Sequence, residues 1–420
     1  MKSPSSRHVV ICGAGIVGLC CAHYLRARGH EVTVLERLPA ERDGCSFGNA
    51  GIITPSHFVP LAAPGMIALG LKWMFSSKSP FYIRPRLSSE LLGWSVRFMR
   101  SCHAAHVARS APLLRDLNLA SRELYLELAA RLPPFDLATR GLLMLCRHAQ
   151  TLAHEAAFAA HARELGMPAE VCTPQRAAEL DPGVRMAIAG AVHFPLDAHF
   201  SPGRFLEVFT PTLLSAGVKF LWETEVTGWR TAGRRLAAAL TNRGEIPADE
   251  FVLAGGAWSP ALIRPLGLGL PMQAGKGYSL TLPRPRQLPR LTSIFTEARV
   301  AVTPLGSSLR IGGTMEVVGL DLSIQPHRVE GIIENVPRYF PDFTRDDFRD
   351  IPPWRGLRPV SPDGLPYLGR FARHPNLIAA TGHAMMGVSL APITGRLVAE
   401  LVSGEKPSHD LALLDPDRFA

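Results

Sequence analysis

Three glycines near the start of the chain have the spacing needed to hold a dinucleotide. They stand in the run Gly13-Ala14-Gly15-Ile16-Val17-Gly18, and an acid, Glu36, follows further on. In such a turn the first glycine permits the tight bend, the second lets the backbone approach a pyrophosphate, and the third lets a helix pack close to a sheet. The start of that helix offers free N–H groups and a positive dipole to the phosphates. Glu36 can accept hydrogen bonds from a ribose diol. Ile16, Val17 and Arg37 lie beside these residues and join them as candidate binding positions. The turn alone serves FAD and NAD equally.

The surrounding sequence supplies the elements such a turn requires. Val9-Val10-Ile11 reads as a strand, Leu19 to Arg28 as a helix ended by Gly29, and Val32 to Leu35 as a second strand. This β-α-β setting gives the motif its specificity, since the same glycines without flanking strands would be weak evidence.

The chain of 420 residues is long enough for a large core and two or three domains. Its seven cysteines include no Cys-x-x-Cys pair, which argues against a zinc or iron–sulfur site and fits a reducing, cytoplasmic setting. Cys12, Cys20 and Cys21 fall within the nucleotide unit and read as packing residues. His193 and His199 do not have the spacing of a metal pair, so no metal is expected. No signal peptide is read, because the N-terminus runs almost directly into the first strand. The stretch from Gly44 to Leu71 is uncharged, but Pro55, Pro60 and Pro64 oppose a continuous spanning helix. Lys72-Trp73-Met74-Phe75 and Phe81-Tyr82-Ile83-Arg84-Pro85-Arg86 follow it. They read first as a cofactor-facing loop leading into a helix of a second domain. The alternative is a peripheral patch against anionic lipid on the inner face of a bacterial membrane. The net charge of +9 comes from scattered arginines with no Lys/Arg block, so a nucleic-acid partner is not expected.

Segments typical of a nucleotide domain occur at the start, middle and end of the chain. Residues 88 to 130 read as helices, Leu142 to Cys146 as a strand, and the alanine-rich stretch to Leu165 as a helix ended by Gly166. Thr173-Pro174 and Ser201-Pro202 open further helices. Gly217 to Ala254 reads as a meander returning to the nucleotide sheet, and Val388 to Val402 as a closing helix. The expected fold is α/β with α+β inserts: a Rossmann-like nucleotide-binding domain (1–75, 196–270 and 352–420) interleaved with a substrate-binding domain of β-sheet plus helices (76–195 and 271–351), the ligand lying at their boundary.

Four segments, in order along nearly the whole chain, resemble the D-amino-acid oxidase/dehydrogenase superfamily of FAD enzymes. They are the opening glycine turn with Glu36; Ser46-Phe47-Gly48-Asn49-Ala50-Gly51; Phe251 to Ser259 with Gly255 and Trp258; and Trp354 to Gly369, continuing to Thr381-Gly382-His383 and Gly387. Asn49 to Gly65 and Lys72 to Phe75 carry a narrower likeness to the bacterial D-amino acid dehydrogenases. The resemblance implies FAD, with Ser46, Asn49, Ala50, Gly51, Val226, Gly255, Trp258, Gly382, His383 and Gly387 among its contacts. Small residues at Asn49-Ala50-Gly51 suit close approach to a flat ring. A helix start after His383 would stabilise negative charge on a reduced flavin. Some relatives tether FAD through a His where this chain has Asn49, and others through a Cys near the fourth segment, where this chain has none. Non-covalent FAD is therefore expected.

The resemblance also implies a reaction: hydride transfer from the α-carbon of a D-amino acid to flavin N5, giving an imine. Arg358 is the first candidate to grip the substrate carboxylate through a bidentate pair, the alternative being that it braces the loop or the flavin. Tyr278, with Lys276 nearby, and His57 are further candidates. Ala301 to Leu305 lacks the carboxylate-binding arginine that some relatives carry there. Ser56 to Pro60, Asp197-Ala198-His199 and His383 to Gly387 favour a cyclic D-imino acid, such as cis-4-hydroxy-D-proline or D-proline, over D-alanine. A quinone or other respiratory-chain acceptor is expected. The alternatives are a broad-specificity D-amino acid dehydrogenase, an oxidase that uses oxygen, an NAD-dependent dehydrogenase and a flavin-binding subunit that anchors a membrane complex.

Overall fold

The computed structural model describes residues 6–74 and 78–420. The expected domain boundary at 75/76, together with Phe75, lies outside them. The first strand, His8–Cys12, is apolar on both faces and lies inside a six-stranded sheet. Such uninterrupted burial is what a parallel sheet covered on both faces demands. Its strands run in the order Tyr367–Arg370, Leu377–Thr381, Glu250–Leu253, His8–Cys12, Glu31–Leu35, Lys219–Leu221. All neighbours are parallel except Tyr367–Arg370, which is antiparallel at one edge.

Helix Ile16–Ala27 follows the first strand and packs against the C-terminal helix Gly387–Ser403. A Cβ on Gly395 would stand 2.5 Å from the Cys20 carbonyl, so the two backbones touch. Cys20 and Cys21 are buried at this crossing and are unpaired. The expected meander is a three-stranded antiparallel sheet, Val226–Ala232, Arg235–Thr241 and Gly244–Pro247.

The larger sheet has nine strands, most of them antiparallel. Gln273–Leu282 and Ser308–Val317 form its long central pair, and Leu142–Cys146 and Gly190–Phe194 extend it. Helices Ser89–Ser101, Ala104–Ala129 and Ala149–Glu164 match the helical patterns between residues 88 and 165. Thr173 caps Pro174–Leu180 by accepting from the Arg176 N–H. One segment departs from the expected division. Trp354–Val360 was grouped with 352–420 in the nucleotide domain, but it pairs with Gln273–Leu282 as a strand of the nine-stranded sheet. The chain crosses from one sheet to the other immediately after it, and that crossing brings Arg358 to the nucleotide cleft.

Candidate active site

A cavity of about 570 Å³ runs from the opening glycine turn to the start of helix Gly387–Ser403. Gly13, Gly15, Ile16, Val17, Glu36, Arg37, Ser46, Asn49, Val226, Gly255, Trp258, His383, Gly387 and Arg358 all line it. The turn works as its spacing requires. Gly13 has φ +115°, and a Cβ there would lie 2.5 Å from the Ala254 carbonyl oxygen. A Cβ on Gly18 would meet the Gly13 carbonyl oxygen at 2.0 Å. Gly18 is thus the packing glycine and stands behind the cavity wall. Glu36 accepts from the Ala14 N–H at 2.8 Å and the Leu38 N–H at 3.0 Å, which fixes its carboxylate at the end of the second strand. The Arg37 guanidinium lies 3.9 Å above the Trp258 ring.

Several candidates lie elsewhere. Ala50, Gly51 and Gly382 are not among the lining residues. Gly51 abuts Phe200 and Pro202, and Gly382 abuts Tyr367, so both serve loop packing. Tyr278 points away from the cleft: its hydroxyl donates to Glu316 at 2.5 Å, and its ring sits in the core beneath the nine-stranded sheet. Burial and the Glu316 carboxylate raise its pKa, so the phenol stays neutral. Lys276 is fully buried, with Nζ donating to the Ser323 carbonyl at 2.6 Å. His57 is also absent from the lining. Its Nδ1 lies 3.0 Å from the Ser56 hydroxyl, which donates to Asp197 at 2.6 Å. Burial, aided by Arg299, lowers the His57 pKa to about 4. Loop proximity in sequence misplaced this histidine, which is committed to holding Ser56 and Asp197 together.

Arg358 lines the cavity from strand Trp354–Val360. Its Nη1 donates to the Thr314 carbonyl at 2.8 Å, and among the described residues no carboxylate pairs with it. His383 is buried, shares a hydrogen bond of 2.9 Å with Thr394, and has its pKa lowered to about 4 by desolvation. It is therefore a neutral imidazole at neutral pH.

Other residues that build the site gave no sequence signal. Arg310 reaches from the central strand Ser308–Val317 and donates to the carbonyls of Phe47 (2.8 Å) and Asn49 (2.9 Å). Ser279 donates to the Gly48 carbonyl at 2.9 Å, and the Trp354 ring occupies the space a Gly48 side chain would need. Together they clamp the second glycine-rich segment. Arg42 donates through Nε to the Ala14 carbonyl at 3.0 Å, while its buried Nη2 has no hydrogen-bond partner among the described residues. An orphaned guanidinium donor at a cavity wall beside a glycine-rich helix start fits a pyrophosphate.

A family model described as "FAD dependent oxidoreductase" matches residues 8–401. The chain belongs to this family. FAD is its cofactor, and Gly13, Gly15, Glu36 and Arg42 line the cavity that could hold its nucleotide half. A D-amino acid dehydrogenase of Bradyrhizobium diazoefficiens is 32% identical over 98% of this chain and 99% of its own length. That of Methylobacterium radiotolerans is 35% identical over 97% and 99%. The structure of glycine oxidase from Geobacillus kaustophilus superposes with a TM-score of 0.79 at 25% identity, covering 99% of each chain. These oxidoreductase relatives span the whole fold and not the glycine motif alone.

Proposed function

We propose that this chain is a dehydrogenase that oxidises a D-amino acid to its imine, with a cyclic D-imino acid such as D-proline or cis-4-hydroxy-D-proline as the preferred substrate. Bound FAD supplies the electron sink that takes hydride from the α-carbon. One observation carries the reading: Arg358 brings a guanidinium to the cavity with no carboxylate partner among the described residues. A charge so placed has strong need of an anionic ligand, and an amino acid supplies one. Neutral His383 adds no second cation beside it. The names of the relatives support the D-amino acid class. For the cyclic preference, the support is that His383, Ala384 and Gly387, from one of the segments read for it, line the cavity.

A quinone at a membrane surface is proposed as the acceptor. No helix among the described residues is long and apolar enough to cross a membrane. Helix Met66–Met74, however, has no buried residue, and Leu320, Leu322 and Ile324 are exposed on a loop whose Leu322 also lines the cavity. Apolar surface beside a cofactor cleft, with Lys72 on the exposed helix, suits an anionic bilayer.

The test is a panel of D- and L-amino acids with a dye, a soluble quinone and oxygen as acceptors. Turnover of D-isomers with dye or quinone, fastest on the cyclic substrates, is expected. A clear preference for D-alanine removes the cyclic assignment, and peroxide yield matching substrate loss removes the dehydrogenase. Sedimentation with anionic but not neutral vesicles is expected; failure to sediment removes the membrane contact.

A further inference from the structure

We propose that Gly277 and Thr314 position Arg358 for the α-carboxylate of the substrate, through a β-bulge in the two central strands of the nine-stranded sheet; this rests on the role of Arg358 proposed above. The ladder between Gln273–Leu282 and Ser308–Val317 pairs Lys276 with Glu316 and Tyr278 with Gly313. Gly277 alone therefore faces two residues, Thr314 and Met315. A bulge of this kind turns the local backbone out of the ladder and redirects what it carries. Here it places Thr314 at φ +69°, an unfavourable conformation for a β-branched residue. The gain from that conformation is visible: the Thr314 carbonyl accepts Arg358 Nη1 at 2.8 Å.

Gly277 provides the other half. A Cβ there would lie 2.2 Å from Arg358 Nη1, 2.4 Å from Nη2 and 2.5 Å from Cζ. These are its three nearest atoms, so the guanidinium rests directly on the glycine. Gly277 is not among the glycines with positive φ, so its backbone would accept any residue. The arginine, and not the turn of the chain, requires a glycine at this position. With one N–H committed to Thr314, the guanidinium retains donors for a carboxylate.

The bulge is pinned on both flanks. Glu316, from one strand, accepts from Tyr278 at 2.5 Å and lies 3.4 Å from Lys276 Nζ, both on the other strand. Arg328 approaches Glu316 at 3.3 Å and donates to the Ser79 carbonyl at 2.9 Å. All four side chains are almost wholly excluded from solvent. Such a network favours one geometry of the strands it joins, and that geometry is the bulge. Tyr278 and Lys276 thus act on the site from beneath, as positioning residues.

The test compares Gly277→Ala, Arg358→Gln and the double variant with the parent, using dye-coupled kinetics and FAD titration. Gly277→Ala is expected to raise KM for the D-amino acid about tenfold or more, to keep kcat and FAD affinity within about threefold, and to add nothing once Arg358 is replaced. An equal effect of Gly277→Ala in the Arg358→Gln background overturns the positioning role. An Arg358→Gln variant with parental KM overturns instead the carboxylate reading beneath it. If Gly277→Ala alone does not yield a folded flavoprotein, the double variant decides. Recovery of FAD binding when the guanidinium is removed supports the proposal, and no recovery overturns it.

Discussion

The hydroxyl of Ser46 accepts the Ile16 N–H at 3.1 Å, tying the second glycine-rich segment to the first turn of the nucleotide helix. Gly15, the N-cap of that helix, has no side chain to do this. Ser46→Ala removes a cap worth about 1 kcal/mol. FAD should then bind about fivefold more weakly, as read by quenching of flavin fluorescence on titrating apoprotein. An unchanged Kd would show that the cap is dispensable.

Arg310→Met should weaken FAD binding more. It retains an apolar stem but strips two partly buried carbonyls, those of Phe47 and Asn49, of their donor. Burial already lowers the Arg310 pKa to about 10, a sign of how little solvent is available to replace it. A loss of about 2 kcal/mol, or roughly thirtyfold in Kd, is expected. The same titration checks it.

Arg418 joins the C-terminal tail to the fourth glycine-rich segment. It donates to both oxygens of Asp363, at 2.8 and 3.0 Å, and lies 4.0 Å from the centre of the Tyr367 ring. Arg418→Ala leaves a largely buried carboxylate unpaired and should cost about 3 kcal/mol of stability. Denaturant unfolding followed by tryptophan fluorescence measures this; a midpoint unchanged from the parent would refute it.

Stability should fall on acidification. His57, His199 and His383 have pKa values lowered to about 4, chiefly by burial. Groups with depressed folded pKa values contribute stability that is present above the unfolded histidine value of about 6.5 and is lost as pH falls toward 4. Asp197 acts in the opposite sense. Burial raises its pKa to about 7, so its contribution is present below the unfolded carboxyl value and is lost as pH rises through 7. Asp197→Asn removes this opposing slope. The decline in Tm between pH 7 and 5 should therefore be steeper in the variant than in the parent. Parallel curves would show that Asp197 does not titrate in this range.

Flavin should be released by acid precipitation. The Asn49 side chain is engaged with the Gly51 N–H at 2.8 Å, and the position offers no nucleophile for a covalent tether. Yellow colour in the supernatant is expected; colour retained in the pellet would reveal a bond to another residue, with Cys45 on the cavity wall the first to examine.

The nucleotide half of the site was legible in sequence because it is local. His8 to Glu36 form one continuous β-α-β unit, and Gly13 and Gly18 answer contacts within it or with the adjacent strand. Arg310 was invisible because its partners lie 263 and 261 residues away in the chain. Tyr278 was misread for a related reason. Its hydroxyl was a candidate donor to the substrate, but strand alternation and the bulge turn it into the sheet's underside. Arg358 could be named from its motif, whereas the Gly277 surface on which it rests needed three-dimensional pairing to appear. The pairing of Trp354–Val360 with Gln273–Leu282 was not legible because the two strands lie far apart in the chain.

The six-stranded sheet sets an order on biosynthesis. His8–Cys12 has as its neighbour Glu250–Leu253, which in turn needs Leu377–Thr381, and helix Gly387–Ser403 covers them. A ribosome must therefore release nearly the entire chain before the cofactor cleft can close. His8–Cys12 can pair early with Glu31–Leu35, but its other edge must wait for Glu250–Leu253, and pairings of such long range form slowly. Flavin supply during translation cannot rescue a truncated product, whereas flavin present at release can trap the completed fold.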